Sequence, residues 1–265
     1  MPEVSVVICC ANVADTLEAA CRSVVAWADE LVIVDSGSAD ATAAIAQRYA
    51  SRYVVEPWRG YTGQIEFGVS LCRNDWVLVL DGDEECAPEL AREIQQLGDD
   101  ELAKLDLMTM RRETYCLGRP VRSWRPDWQT RLIHRRRCTF ADELFHYRMV
   151  PTQRSRQGKL RGRLIHRRTS AAGFNDYFDA RQLGSRLQLI AQQMYKTGRR
   201  CRWYDLFFRP LIAVWKSYIV KRGFLDGMFG LMIAGKMMVS AQLKWAALWA
   251  YQEAQNQKNK PDAGG

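Results

Sequence analysis

A chain of 265 residues is long enough for one large α/β domain, or for a domain of about 150 to 200 residues carrying an appendage. Its hydrophobic fraction of 48% and charged fraction of 26% are those of an ordinary globular protein. The eight cysteines form no CxxC pair and sit mostly inside apolar runs, which excludes a disulfide framework or a zinc site and implies reduced core residues of a cytosolic protein.

The formal net charge of +8 conceals a segregation along the chain. Residues 1–110 hold 7 Lys/Arg against 20 Asp/Glu, residues 111–168 hold 17 against 4, and residues 169–265 hold 14 against 6. A basic middle implies an anionic partner: phosphate, a membrane surface or nucleic acid. The third is set aside, because the arginines are spread through predicted strands with no recognition motif beside them. At the N-terminus Pro2 and Glu3 lead directly into an apolar run, so no export signal is expected. The best candidate for a spanning segment, residues 223–243, is interrupted by Asp226 and Lys236 and falls short of the roughly 18 to 20 uncharged residues required. The chain is therefore expected on the cytoplasmic side.

The first 110 residues alternate strand and helix. Residues 4–9 form a continuous apolar run, as a strand buried on both faces does, and residues 15–27 follow with helical spacing. A second strand at 30–34 ends in Asp35-Ser-Gly-Ser-Ala-Asp40, and a helix over 41–49 starts there with Ser38 or Asp40 as N-cap. A strand at 53–55, a helix at 64–72 and a strand at 76–80 come next. Pro88 then opens a helix through residue 97, where its missing N–H costs nothing. Strands joined by helices predict a mostly parallel sheet whose ligands bind at the carboxyl ends of the strands. Asn12, Asp35 and Asp81 each lie at or just beyond such an end, so three polar loops converge.

The last of these loops is the most informative. In DWVLVLDGDEE an apolar strand runs into Asp81, Asp83, Glu84 and Glu85. Crowded carboxylates raise one another's pKa, so they require a neutralising cation or full solvation. Asp81 and Asp83 are the candidate ligands of a divalent metal, which would in turn hold a diphosphate.

The order VSVVICCAN, ELVIVDSGSADAT, WRGYTGQ, NDWVLVLDGDEE resembles the nucleotide-sugar domain of family 2 glycosyltransferases, the GT-A fold. GRPVRSWRPDWQTRLIHRRR and KRGFLDGMFGL resemble segments of the subgroup that includes glucosyltransferases of lipopolysaccharide-core assembly. The resemblance implies a GT-A domain over 1–168, with a nucleotide-binding half (1–110) and a basic acceptor-side half (111–168). A helical region over 169–251 and a polar tail complete the chain. It further implies a UDP-hexose donor, with Asn12, Asp35 and Ser36 against the nucleotide. Asp81 and Asp83 would hold Mg²⁺ or Mn²⁺, a hard cation that takes oxygen ligands. Arg131 and the run 135–137 have the chemistry to bind phosphate, on the donor or on an anionic acceptor.

Two positions depart from the family pattern: Val13 stands where Glu is usual, and His146-Tyr147 where His-Glu is usual. An inverting transferase needs a base for the acceptor hydroxyl, so Asp142, Glu143 or His146 must serve, or the chain is a catalytically impaired binding protein. His134 and His166, each in an RLIH segment, read as structural. Trp124 and Trp128 flank Pro126-Asp127 and have the chemistry to floor a sugar site. Towards the C-terminus, residues 203–222 mix aromatic and basic side chains in the manner of a helix lying in a membrane interface or, for part of it, of one packed against the GT-A domain. The resemblance thus implies a lipid-linked or lipopolysaccharide-core saccharide acceptor and a peripheral site on the inner face of the cytoplasmic membrane.

Overall fold

The computed structural model describes residues 2–141, 148–152, 156–169 and 180–258. The chain divides into two compact units, Met1–Pro120 with Pro126–Ala172, and Val121–Arg125 with Gly173–Gly265.

The first unit is built on a nine-stranded sheet. Its parallel half comprises β1 (Val4–Cys10), β2 (Glu30–Asp35), β3 (Arg52–Val55) and β4 (Trp76–Asp81), in the order β3-β2-β1-β4. Beyond β4 the sheet turns mixed. The strands β8 (Asp127–His134) and β6 (Leu107–Cys116) enter antiparallel, β11 (Gln157–Thr169) runs parallel to β6, and the three-residue β5 (Glu84–Cys86) closes the edge against β11. β7 (Arg119–Pro120) pairs with β6, and β9 (Cys138–Ala141) with β10 (Arg148–Pro151) in a separate hairpin.

Burial on both faces explains the unbroken apolar runs. Ile8, Ile33, Leu78 and Leu80 pack on one side in a core with Leu17 of α1 (Ala14–Arg22) and Leu90 and Ile94 of α4 (Pro88–Gln95). Val7, Val32, Val77 and Val79 pack on the other with Ile65 and Val69 of α3 (Gly60–Leu71). α2 (Thr42–Tyr49) lies beside α1, and the single turn α5 (Asp99–Leu102) precedes β6.

Three expected boundaries move. The first helix stops at Arg22 rather than running to Trp27. There the Ser23 hydroxyl donates to the Ala20 carbonyl at 2.6 Å and accepts the Cys86 N–H at 3.0 Å, and the chain goes on to Ala28 as hydrogen-bonded turns rather than regular helix. Neither Ser38 nor Asp40 is the N-cap of α2, which is Ala41; Asp40 accepts the Thr42 N–H at 3.0 Å one position further in. α3 begins at Gly60, four residues before the expected start.

The second unit is helical, with α6 (Ala180–Lys196), α7 (Trp203–Trp215) and α8 (Gly227–Lys258), plus a π turn over Lys216–Val220 and short 3-10 turns at Arg122–Trp124 and Gly223–Asp226. Met194, Cys201, Trp245 and Leu248 form its core. The GFLDG segment is a close-packed corner. Gly227 takes φ +58°, and a Cβ on Gly230 would lie 1.8 Å from the Gly223 carbonyl oxygen, so only glycine fits there. The charges that interrupt the apolar run are both engaged inside this unit: Asp226 pairs with Arg122 at 3.4 Å, and the Lys236 ammonium sits 5.5 Å from the Trp124 ring centroid. By length and composition the stretch Gly223–Lys258 is long and apolar enough to cross a membrane, although no uncharged run within it reaches the length of a span.

Candidate functional site

The carboxyl ends of β1, β2 and β4 form one edge, and the polar loops there brace one another. Asn12 follows β1 with φ +53°, a left-handed conformation that asparagine tolerates better than most side chains. Its N–H donates to Ser38 Oγ at 2.8 Å, and its Oδ1 accepts the Ala39 N–H at 2.8 Å. Asp35 is buried; Oδ1 accepts from the Ser38 N–H and hydroxyl at 2.9 and 2.6 Å, and Oδ2 accepts from the Tyr53 hydroxyl at 2.9 Å. Burial and this neighbouring carboxylate push the Tyr53 phenol up to about 12, which keeps it a donor. Ser36 is anchored by its N–H to the Cys10 carbonyl at 2.9 Å. In this structure Asn12 and Asp35 thus shape the 36–40 turn beside β1.

The four carboxylates of DGDEE have four different surroundings. Asp81 ends β4 in register with Cys9, and its Oδ2 accepts from the Arg131 guanidinium at 2.6 Å. Asp83, with 33% of its side chain exposed, has Oδ2 3.1 Å from His166 Nε2, whose Nδ1 lies 3.1 Å from the Thr114 hydroxyl. Glu84 is fully buried and accepts from Arg131 at 2.7 Å and Arg112 at 3.0 Å, while Arg112 also reaches Asp127 at 2.8 Å. Glu85 pairs with the exposed Arg167.

Arg131 is 3% exposed and joins Asp81 to Glu84. Burial acts to lower its pKa, but the two carboxylates outweigh burial and raise it. Burial likewise acts to raise Glu84, and Arg131, His166 and Arg112 together hold it below the usual carboxylate range. For Asp81 the balance goes the other way. Burial, with Glu84 and Asp83 nearby, pushes it up to about 6 despite Arg131.

The basic run behaves differently from Arg131. Arg135 and Arg136 pair with Asp75 at 3.6 and 2.8 Å, and Arg137 pairs with Asp106 at 3.6 Å. Since Trp76 is in register with His134, these groups lie at the amino end of β4, the opposite end of the strand from Asp81. The expected bases Asp142, Glu143 and His146 lie outside the described residues. His166, which reads as structural in the sequence, is the group the structure brings to the acidic loop. The register of β5 against β11, with Glu84 opposite His166, is what brings it there, and no local signal in the sequence carries that pairing. Among the described residues no group of three or more His, Cys, Asp or Glu side chains is placed to hold a metal ion.

Comparison with known proteins follows the same lines. Residues 5–155 match the family described as Glycosyl transferase family 2. An uncharacterized glycosyltransferase of Rickettsia felis is 43% identical over 97 residues, 37% of this chain and 34% of its own length. The chain therefore matches about a third of that relative's length. The lipopolysaccharide core biosynthesis glycosyltransferase LpsC of Rhizobium meliloti is 30% identical over 245 residues, covering 88% of this chain and 87% of LpsC. Among solved structures, glucosyl-3-phosphoglycerate synthase from Mycobacterium tuberculosis in complex with Mn²⁺, UDP and glucosyl-3-phosphoglycerate has 18% identity. It covers 74% of this chain and 80% of its own, with a TM-score of 0.46. From the family match and the near full-length similarity to LpsC, together with a parallel β3-β2-β1-β4 sheet that ends in Asp35 and the DGDEE loop, the chain belongs to glycosyltransferase family 2.

Proposed function

We propose that the chain is a metal-dependent, inverting glycosyltransferase that moves a hexose from a UDP-sugar to a hydroxyl of a lipid-linked or lipopolysaccharide-core saccharide. The observation that carries this reading is the Asp83–His166 pair at the end of β4. Two adjacent ligands of an octahedral cation, each about 2.1 Å from it, lie about 3 Å apart, and Asp83 Oδ2 and His166 Nε2 are 3.1 Å apart. One carboxylate and one imidazole suit Mn²⁺ better than the harder Mg²⁺; Asp83 and His166 would be its ligands, with Asp81 beside them and the donor diphosphate available to the remaining positions. A bound divalent ion supplies Lewis-acid stabilisation of charge on the departing nucleoside diphosphate. Arg131 holds the Asp81 carboxylate in place, and the 36–40 turn would meet the nucleoside. One of Asp142, Glu143 and His146 takes the proton from the acceptor hydroxyl as its oxygen attacks the anomeric carbon. The similarity to LpsC along most of both chains supports the acceptor class.

Thermal-shift titration with UDP-glucose and other nucleotide sugars, with and without Mn²⁺, tests the donor reading. At a ligand concentration of 100 Kd the native state gains about 2.7 kcal/mol. The gain should need Mn²⁺ and should fade as the pH falls through about 6, because the proton that Asp81 then takes up competes with the cation. Metal-independent stabilisation by every nucleotide sugar, or no stabilisation by any, would contradict the reading.

A second finding supports work at a membrane. In the helical unit Trp203 is 77% exposed and Met228 79%, and Phe207, Leu211, Ile212 and Trp215 are exposed along α7. Exposed Lys216, Lys221 and Arg222 follow α7. An apolar face edged by cations suits the boundary between acyl chains and anionic headgroups. Co-sedimentation with vesicles containing phosphatidylglycerol should fall at least tenfold for the variant Trp203→Ser/Phe207→Gln/Trp215→Gln. Alkaline carbonate should release the unaltered protein; retention would mean that α8 crosses the bilayer instead.

A further inference from the structure

Trp128 is a large aromatic side chain outside the carboxylate site, and it is 44% exposed. It lies on β8 opposite Arg111 of β6, whose guanidinium carbon is 6.0 Å from the indole centroid. From β11 the Lys159 ammonium comes within 5.2 Å of the same centroid. Three strands thus bring one aromatic plate and two exposed cations together on the sheet.

Strand alternation says which face this is. On β4, Val77 and Val79 belong to the core beneath α3, and Leu78 and Leu80 to the opposite core, so Asp81 points to the α3 side. On β6, Leu107 belongs to the α3-side core and Met108 and Met110 to the other, so Arg111 and its partner Trp128 are on the α3 side as well. The irregularity between Met108 and Thr109 falls at Arg131 of β8 and leaves Trp128, opposite Arg111, on the α3 side. Along β8, Trp128 is two residues, about 7 Å, from Thr130 and one further from Arg131. The plate therefore shares a face with Asp81, whereas Arg112 and His166, in line with Met110 and Leu164 of the opposite core, stand on the other face.

We infer that Trp128, Arg111 and Lys159 form a subsite for an acidic saccharide acceptor, a pyranose bearing phosphate or carboxylate, on the α3 side of the mixed half of the sheet. The apolar C–H face of a pyranose stacks on the indole, and its anion is held by the guanidinium and the ammonium. Arg111 offers a planar fork suited to two anionic oxygens, and Lys159 a compact point charge. A solvated cation beside an indole gains little by itself, about 0.5–1 kcal/mol, so two of them leave the indole's exposed area available to a ligand. This inference rests on the transferase reading only in naming the saccharide an acceptor.

The test is titration of the full chain with glucose 6-phosphate and with glucuronate, by ligand-observed NMR, in saturating UDP and Mn²⁺ so that the donor site is occupied. Glucose and inorganic phosphate are the controls. Both acidic sugars should bind at least tenfold more tightly than either control. Trp128→Ala and the pair Arg111→Gln/Lys159→Gln should each weaken them tenfold or more, and Trp128→Phe should restore most of the loss. Equal affinity for glucose 6-phosphate and inorganic phosphate, or unchanged affinity in Trp128→Ala, would overturn the inference. UDP-glucose binding by the unaltered protein is read separately. Its absence, with acidic sugars still bound in a Trp128-dependent way, would sink the donor reading and leave the subsite standing.

Discussion

Replacing Glu84 with alanine should destabilise the sheet-containing unit by about 3–5 kcal/mol, the range for removing one partner of a buried ion pair. The carboxylate is fully buried and accepts from two arginines, Arg131 and Arg112, and from the Asp81 N–H at 3.3 Å. Without it Arg131, itself 3% exposed, is left leaning on Asp81, and Arg112 on Asp127. At roughly 2–4 °C per kcal/mol, the melting temperature should fall by about 6–20 °C. Glutamine at this position retains the volume, but its NH₂ meets a guanidinium donor, so it should recover less than half. Glu85→Ala is the internal control. Its partner Arg167 is exposed, and the loss there should stay below about 1 kcal/mol. If the two adjacent variants melt alike, Glu84 is not the anchor of the loop. The pH dependence has a definite sign. Glu84 is held below its ordinary range, so its contribution is present above the unfolded carboxyl value of about 4.3 and is lost as pH falls through the lowered native value.

Asp83→Ala should abolish Mn²⁺-dependent turnover of the sugar donor while leaving the fold intact. The expected loss in kcat is roughly 10²–10⁴-fold, the equivalent of about 3–5 kcal/mol of Lewis-acid stabilisation. Asp83 keeps a third of its side chain in water and pairs there with His166, so the melting temperature should change little. That combination separates it from Glu84, where stability falls first. His166→Ala should weaken Mn²⁺ binding, measured by the paramagnetic relaxation of water, and should do so without donor present. Unaltered Mn²⁺ affinity in both variants would remove the Asp83–His166 pair from the metal site.

The contrast between these neighbouring carboxylates marks the limit of what local sequence could tell. Apolar runs located β1, β2 and β4, because side chains buried on both faces must be apolar, whereas a strand with one wet face would alternate and break the valine and isoleucine runs; the edge strand β3 is half-exposed and carries a weaker signal. The turn chemistry after β2 and the acidic loop after β4 followed from the same rule, since polar residues collect where strands end. The three-residue β5 was not visible, being too short to have a period and acidic in two of three positions. The end of the first helix was not visible because its apolar spacing runs on through the hydrogen-bonded turns that follow Ser23.

Composition and pattern determined that this chain folds around a parallel sheet, that its polar loops gather at the carboxyl edge, and that DGDEE stands at their centre. Only the tertiary structure decided what each carboxylate does. Arg131 and Arg112 arrive from strands 47 and 28 residues further along and enclose Glu84, whereas His166, 83 residues beyond Asp83, faces it across the β5–β11 pairing. Charge partners at such separations are set by strand register, a property of the whole sheet, and identical residue types side by side in sequence carry no trace of it. The loop that reads as one acidic cluster is in the fold a buried anchor at Glu84, an arginine-held Asp81 and a half-buried Asp83 beside a histidine.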